Sequence, residues 1–193
     1  MHNNSGGIER LGVRPYDWWN EALHGIARAG KATVFPQAIG LAATFDDTVV
    51  YEMFDMVSDE GRAKYHDFQR KGMYNGYKGL TFWTPNINIF RDPRWGRGME
   101  TYGEDPFLTT KMGLAVVKGL QGDGTQKYDK AHACAKHYAV HSGPEWNRHS
   151  YNAENISIRD LRETYLPAFK ALVTEGKVKE VMCAYNRFEG EPC

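Results

Sequence analysis

The chain has 193 residues, 41% of them hydrophobic, with 24 basic and 24 acidic side chains. That length suits one domain with a sizeable core. The balanced charge excludes a basic stripe of the kind that holds nucleic acid, and no run approaches the roughly 18 apolar residues of a membrane span. Five Trp and eleven Tyr in a neutral chain fit a site that stacks on flat, uncharged ligands.

Read in chain order, Met1-His2-Asn3-Asn4-Ser5-Gly6-Gly7 has neither the basic nor the apolar region of a signal peptide. Ala32-Thr33-Val34-Phe35 and Ile39-Gly40-Leu41-Ala42-Ala43 are compact apolar runs. Residues 46 to about 71 read as a helix capped by Asp46 or Asp47, with Val49, Val50, Met53, Phe54 and Val57 at helical spacing and Gly72 closing it. Leu80-Thr81-Phe82-Trp83 reads as a strand that runs into a long loop over 84–104. Asp105-Pro106 opens a second helix, lined inside by Leu108, Met112, Ala115, Val116 and Leu120 and ended by Gly122. A strand over 131–138 follows, then a helix from Ser157 to about 175 with Asp160 completing a near capping box, then a strand over 178–184. Cys134, Cys183 and Cys193 are an odd set, and the first two lie in apolar runs, so buried free thiols are expected.

Strand–loop–helix units in series imply a parallel sheet with crossover helices. Each strand ends in a polar, aromatic-rich segment: Trp18-Trp19-Asn20-Glu21, Pro85-Asn86-Ile87-Asn88, Lys136-His137-Tyr138 and Tyr185-Asn186. Successive strands feeding one face is barrel behaviour, whereas a doubly wound sheet concentrates its site at one switch point, usually with a Gly-rich phosphate loop. No G-x-G-x-x-G or G-x-x-x-x-G-K-[ST] occurs. The fold class expected is therefore α/β, a partial (β/α)8 TIM barrel forming a single incomplete domain over 1–193.

Several residues carry chemistry. Lys136 and His137 are strand neighbours that ordinarily face opposite ways, so either both reach a ligand through a distorted strand end, or a solvated Lys stands beside a core His. Arg91, Arg94 and Arg97 share a loop with Asp92, Glu100, Glu104 and Asp105, which suggests charge-assisted bonding; one functional Arg among structural pairs is the expected yield. Glu21, after two tryptophans, can accept bonds from two sugar hydroxyls or serve as a helix-start carboxylate. Tyr185 is either an orienting residue or amphipathic core. His24, His137, His141 and His149 lack H-E-x-x-H or C-x-x-C spacing, so no metal is expected; no cofactor motif and no G-x-S-x-G occurs either.

Together these segments resemble glycoside hydrolase family 3. The resemblance is carried by Tyr16-Asp17-Trp18-Trp19-Asn20-Glu21-Ala22-Leu23-His24-Gly25, by Phe35 to Asp46 as a strand and turn, by the loop from Arg91 to Asp105, by Ala135-Lys136-His137-Tyr138, and by Val181-Met182-Cys183-Ala184-Tyr185-Asn186. The first of these looks like the β-xylosidase branch. The resemblance implies a retaining β-glycosidase acting on terminal non-reducing sugars of an oligosaccharide, in which one carboxylate attacks the anomeric carbon and a second protonates the leaving oxygen. It implies that Glu21 binds hydroxyls at the far end of the sugar, that Arg97, Lys136 and His137 bind the remaining ring hydroxyls, and that Tyr185 stands beside the nucleophile. A cis non-proline peptide in the Lys-His region is also implied, and would let both side chains face the site. No catalytic carboxylate is expected within the chain: the nucleophile Asp is expected beyond Cys193 and the acid/base later still, in a missing C-terminal part of a secreted or periplasmic parent. The N-acetylhexosaminidase-like branch needs an Asp-His pair that Asn147-Arg148-His149 does not supply. Roughly five of the eight barrel strands are expected. Alone, the chain is expected to be inactive and poorly stable, because an open barrel leaves edges unpaired. Glu is one methylene longer than the Asp of glucosidase-like members, which favours xylose over glucose; a β-glucosidase or a non-catalytic sugar-binding protein are the alternatives.

Overall fold

The computed structural model describes residues 3–193; Met1 and His2, the head of the segment inspected for a leader, lie outside the described residues. A short antiparallel ladder joins β1 (Asn4–Ser5) to β2 (Tyr16–Asp17). After it come α1 (Ala38–Ala42) and α2 (Asp47–Arg70), then β3 (Thr81–Phe82), α3 (Pro106–Gln121) and β4 (His132–Tyr138). The two-residue strand β5 (Asn152–Ala153) precedes α4 (Ile158–Asp160), α5 (Pro167–Thr174) and β6 (Glu180–Cys183). Two further short strands complete a small sheet: β7 (Arg187–Phe188) pairs with β5, and β8 (Glu191–Pro192) pairs with β7.

The central sheet is parallel, in the order β3-β4-β6, with crossover helices between successive strands. Residues 133–137 of β4 are buried, as expected of a strand covered on both faces. The chain beyond β3 continues beside β4 without regular pairing, through Cys134 N–H to Thr84 O (2.9 Å) and Ile87 N–H to Lys136 O (2.9 Å). Of the roughly five strands expected, three form this ladder. The entry segment holds its place by side-chain bonds instead: Asn20, 2% exposed, donates to Thr81 O and accepts from the Gly79 N–H, both at 2.8 Å. The apolar run beginning at Ile39 is helical in α1, and Thr33 to Phe35 forms no strand: Phe35 N–H donates to His24 O (2.9 Å) and Thr33 N–H to the Glu60 carboxylate (3.1 Å).

Helix ends follow local chemistry. Asp46 accepts from the Thr48 and Val49 N–H groups at the head of α2, and Asp105 accepts from Leu108 N–H ahead of Pro106 in α3. α3 lies between α2 and α5. A Cβ on Gly119 would stand 2.6 Å from Tyr51 O, so only glycine permits this approach of α3 to α2. Val50, Met53, Phe54 and Val57 meet Met112, Val116 and Leu120 in the core; Val49, expected inside, is 47% exposed. The helix expected over 157–175 is broken. Ser157 caps it through Asp160 N–H, a wide turn over Leu161–Tyr165 follows, and α5 restarts at Pro167, whose ring excludes an ordinary backbone bond to the preceding turn. Cys134 is buried, and burial pushes its thiol up to about 12; Cys183, also expected inside, is exposed on β6.

Candidate functional site

A cavity of about 380 Å³ is lined by Glu21 and His24 of the entry segment, by Arg97 and Glu100 of the loop that follows β3, and by Lys136 of β4, among others. Position follows from local folding. Asp17 accepts from Trp19 N–H (2.8 Å), turning the chain after β2, and Trp19 Nε1–H donates to Glu21 Oε1 (2.8 Å). Trp19 stacks on Trp83 with ring centroids 5.5 Å apart. Glu21 is thus aimed by an indole that is itself held by the strand end.

Lys136 enters the cavity from β4, only 4% exposed, with Nζ 3.8 Å from Glu21 Oε2 and no hydrogen-bonded acceptor among the described residues. β4 carries one extra residue here: Lys136 pairs with Met182, and Tyr138 with the next residue, Cys183. The Lys136–His137 peptide is cis, as is Tyr138–Ala139. The extra residue takes His137 out of the alternation of the strand, and the ring comes to Arg97, which also lines the cavity that holds Lys136.

Asn88 fixes His137 on three sides. Its Oδ1 accepts from His137 N–H (2.9 Å) and stands 3.0 Å from Nδ1, while its Nδ2 donates to His137 O (2.8 Å). Nδ1 is then the protonated nitrogen of a neutral ring, and Nε2 accepts from Arg97 Nη1 at 3.2 Å. Burial, followed by the charges of Arg97 and Lys136, holds the imidazole well below its usual range, in keeping with that tautomer. Arg97 is clamped by Glu100 through Nε–Oε1 (2.8 Å) and Nη2–Oε2 (2.6 Å). Burial opposes charge on both partners, but the paired hydrogen bonds outweigh it: the guanidinium is raised and the carboxyl lowered. Burial also lowers the Lys136 ammonium, aided by Arg97 and opposed by Glu21 and Glu100.

Glu21, Arg97, Lys136 and His137 are brought together. Tyr185 does not line the cavity: it is 51% exposed, its ring 6.1 Å from His137 and 4.7 Å from His149. Of the loop arginines, Arg91 ties the loop to Tyr165 Oη (2.7 Å) and Arg94 pairs with Asp92 in solvent, holding the Asp92 carboxyl down to about 2. Asn88 and Glu100 are the positioning residues that sequence reasoning did not assign. Asn86 and Asn88 alternate with Ile87 and Ile89, a period of two that marks a buried polar face. Among the described residues no group of three or more His, Cys, Asp or Glu side chains is placed to hold a metal ion.

Residues 9–193 match the glycosyl hydrolase family 3 N-terminal domain. A xylan 1,4-β-xylosidase of Xylanibacter ruminicola is 54% identical over 195 residues, spanning 100% of this chain and 23% of that protein. Among solved structures, a family 3 exo-β-xylosidase in complex with a xylobiose aziridine probe is 37% identical with a TM-score of 0.87, over 99% of this chain and 25% of that one. A β-glucosidase of Listeria innocua in complex with laminaribiose is 35% identical with a TM-score of 0.72, over 89% of this chain and 21% of that one. The chain thus spans about a quarter of the length of these relatives.

Proposed function

The chain belongs to glycosyl hydrolase family 3 through its N-terminal domain, and from that premise we propose that it grips the terminal sugar of a retaining β-xylosidase. The observation that carries this reading is the Lys136 ammonium, buried without a hydrogen-bonded acceptor, beside the Glu21 carboxylate and the clamped Arg97. Such a set suits a neutral polyol. Glu21 accepts hydroxyl protons, Lys136 donates to a hydroxyl oxygen, and Arg97, fixed by Glu100, donates without having to be oriented first. His137 is neutral, so it adds no charge that would repel a developing oxocarbenium ion.

Glycoside cleavage with retention needs a nucleophilic carboxylate below the anomeric carbon and an acid above it. In this reading both come from the remainder of the parent enzyme. The residues described here hold the ring, and the bonds that the Glu21 carboxylate accepts from hydroxyls strengthen as positive charge grows on it. Glu21, pinned through Oε1 by Trp19, reaches one methylene further than an aspartate and crowds the space a hydroxymethyl group needs. Xylose is therefore preferred to glucose.

The test is kcat/KM of the full-length enzyme on nitrophenyl β-xyloside and β-glucoside, with Glu21→Asp alongside. The native enzyme is expected to prefer the xyloside. The variant should shift the ratio toward the glucoside by about tenfold, within the roughly 1–3 kcal/mol that one methylene discriminates. A native preference for glucoside of tenfold or more refutes the reading.

A further inference from the structure

His24 lines the same cavity as Glu21, Arg97 and Lys136, yet the grip on the sugar described for those residues does not use it. It sits in a turn closed by Ala27 N–H to Glu21 O (2.9 Å), so one short segment carries both side chains. That turn docks on residues 33–35. Phe35 N–H donates to His24 O (2.9 Å), and His24 Nδ1 stands 2.9 Å from Phe35 O. Gly25, at φ +117°, permits the approach, because a Cβ there would overlap Thr33 O.

The contact assigns the ring. Phe35 O can only accept, so Nδ1 carries the proton and, in the neutral imidazole, Nε2 is the bare acceptor. Nε2 has no hydrogen-bond partner among the described residues. The carboxylate oxygens of the cavity are mostly spent. Glu100 gives both of its oxygens to Arg97, and Glu21 Oε1 accepts from Trp19.

A hydroxyl that accepts from the Lys136 ammonium or the Arg97 guanidinium still has its own proton to place, and leaving that proton unpaired in a buried site costs free energy. Glu21 Oε2 can take one such proton. A ring with adjacent hydroxyls needs a second acceptor, and His24 Nε2 is a lone pair already fixed in direction by the Phe35 contact.

We propose that His24 is a further specificity-determining residue, whose Nε2 accepts the proton of a terminal-sugar hydroxyl adjacent to the one that Glu21 takes. This rests on the β-xylosidase reading above, and the test separates the two. In the full-length enzyme, kcat/KM is measured on nitrophenyl β-xyloside and on its 3-deoxy and 4-deoxy analogues for the native protein, His24→Asn and His24→Gln. Asn keeps a donor near Nδ1 for Phe35 O and lacks the acceptor, whereas Gln reaches as far as Nε2 and restores one. His24→Asn should lower kcat/KM on the parent xyloside about tenfold, and His24→Gln should recover most of that loss. On one of the two deoxy substrates the native enzyme and His24→Asn should agree within about twofold, since the hydroxyl that Nε2 holds is gone. A merely structural His24 gives the reverse order, with Asn near native and Gln impaired, and that result overturns the proposal. So does an equal gap between native and His24→Asn on all three substrates, and in both cases the β-xylosidase reading stands. If His24→Gln fails to fold, the deoxy comparison of His24→Asn decides alone. A native enzyme that does not turn over nitrophenyl β-xyloside overturns the β-xylosidase reading itself.

Discussion

Replacing Lys136 by Met in the full-length enzyme separates binding from folding. The substitution keeps the length of the side chain and removes only the ammonium. The side chain is 4% exposed, and the nearest carboxylate oxygen lies 3.8 Å from its ammonium, beyond hydrogen-bonding distance. Hydrogen bonds to a charged group contribute about 1.5–3 kcal/mol, so kcat/KM on nitrophenyl β-xyloside should fall roughly tenfold to a hundredfold. Stability should move the other way. The desolvation cost of the buried cation disappears, and Glu21 keeps its Trp19 bond and 22% exposure, so it is not left as a bare buried charge. Urea unfolding should therefore find Lys136→Met unchanged or up to about 2 kcal/mol more stable. Native kcat/KM in the variant would refute the sugar-binding role. Loss of several kcal/mol together with activity would make Lys136 a structural residue.

Three further outcomes follow from the same geometry. Asn88→Ala strips the His137 N–H and Nδ1 of their acceptor in a buried site, and should cost about 2–4 kcal/mol in chemical denaturation, with a fall in kcat/KM. Gly98→Ala places a Cβ 2.1 Å from the Phe90 ring; a loss of about 1–3 kcal/mol is expected, read as a lowered melting temperature, since the loop that carries Arg97 must shift. His137 is held below its ordinary range, so the unfolded chain binds a proton that the folded one resists. Its contribution is fully present above about pH 6.5 and is lost as pH falls from there toward the depressed folded value. Unfolding free energy measured from pH 8 to 5 should therefore decline on the acid side, and His137→Gln should flatten that decline.

Much of this was legible where chemistry is local. Asp46 and the Asp105-Pro106 pair mark the heads of the two long helices because capping needs only neighbouring residues. Glu21, Lys136 and His137 stood out as polar residues at strand ends and Arg97 through the family resemblance of its loop, and the four do converge. What escaped depends on distant partners. Asn20 replaces a regular strand pairing with side-chain bonds to Thr81 and Gly79, about sixty residues away. Asn88 looks like a loop residue until β4 delivers His137 beside it. The extra residue in β4 cannot be read from Lys-His alone, since strand alternation would separate the two side chains. Pro167 was visible, yet the wide turn it follows depends on how 158–166 pack. Cys183 and Val49 look apolar in sequence and face outward in the fold.

The most direct test is a crystal structure of the full-length enzyme with xylose bound. Glu21, Arg97, Lys136 and His137 should all stand within about 3.2 Å of hydroxyls on one pyranose ring, with the Lys136 Nζ bonded to oxygen. A ring bound elsewhere, with Lys136 still lacking a hydrogen-bonded acceptor, would contradict the account.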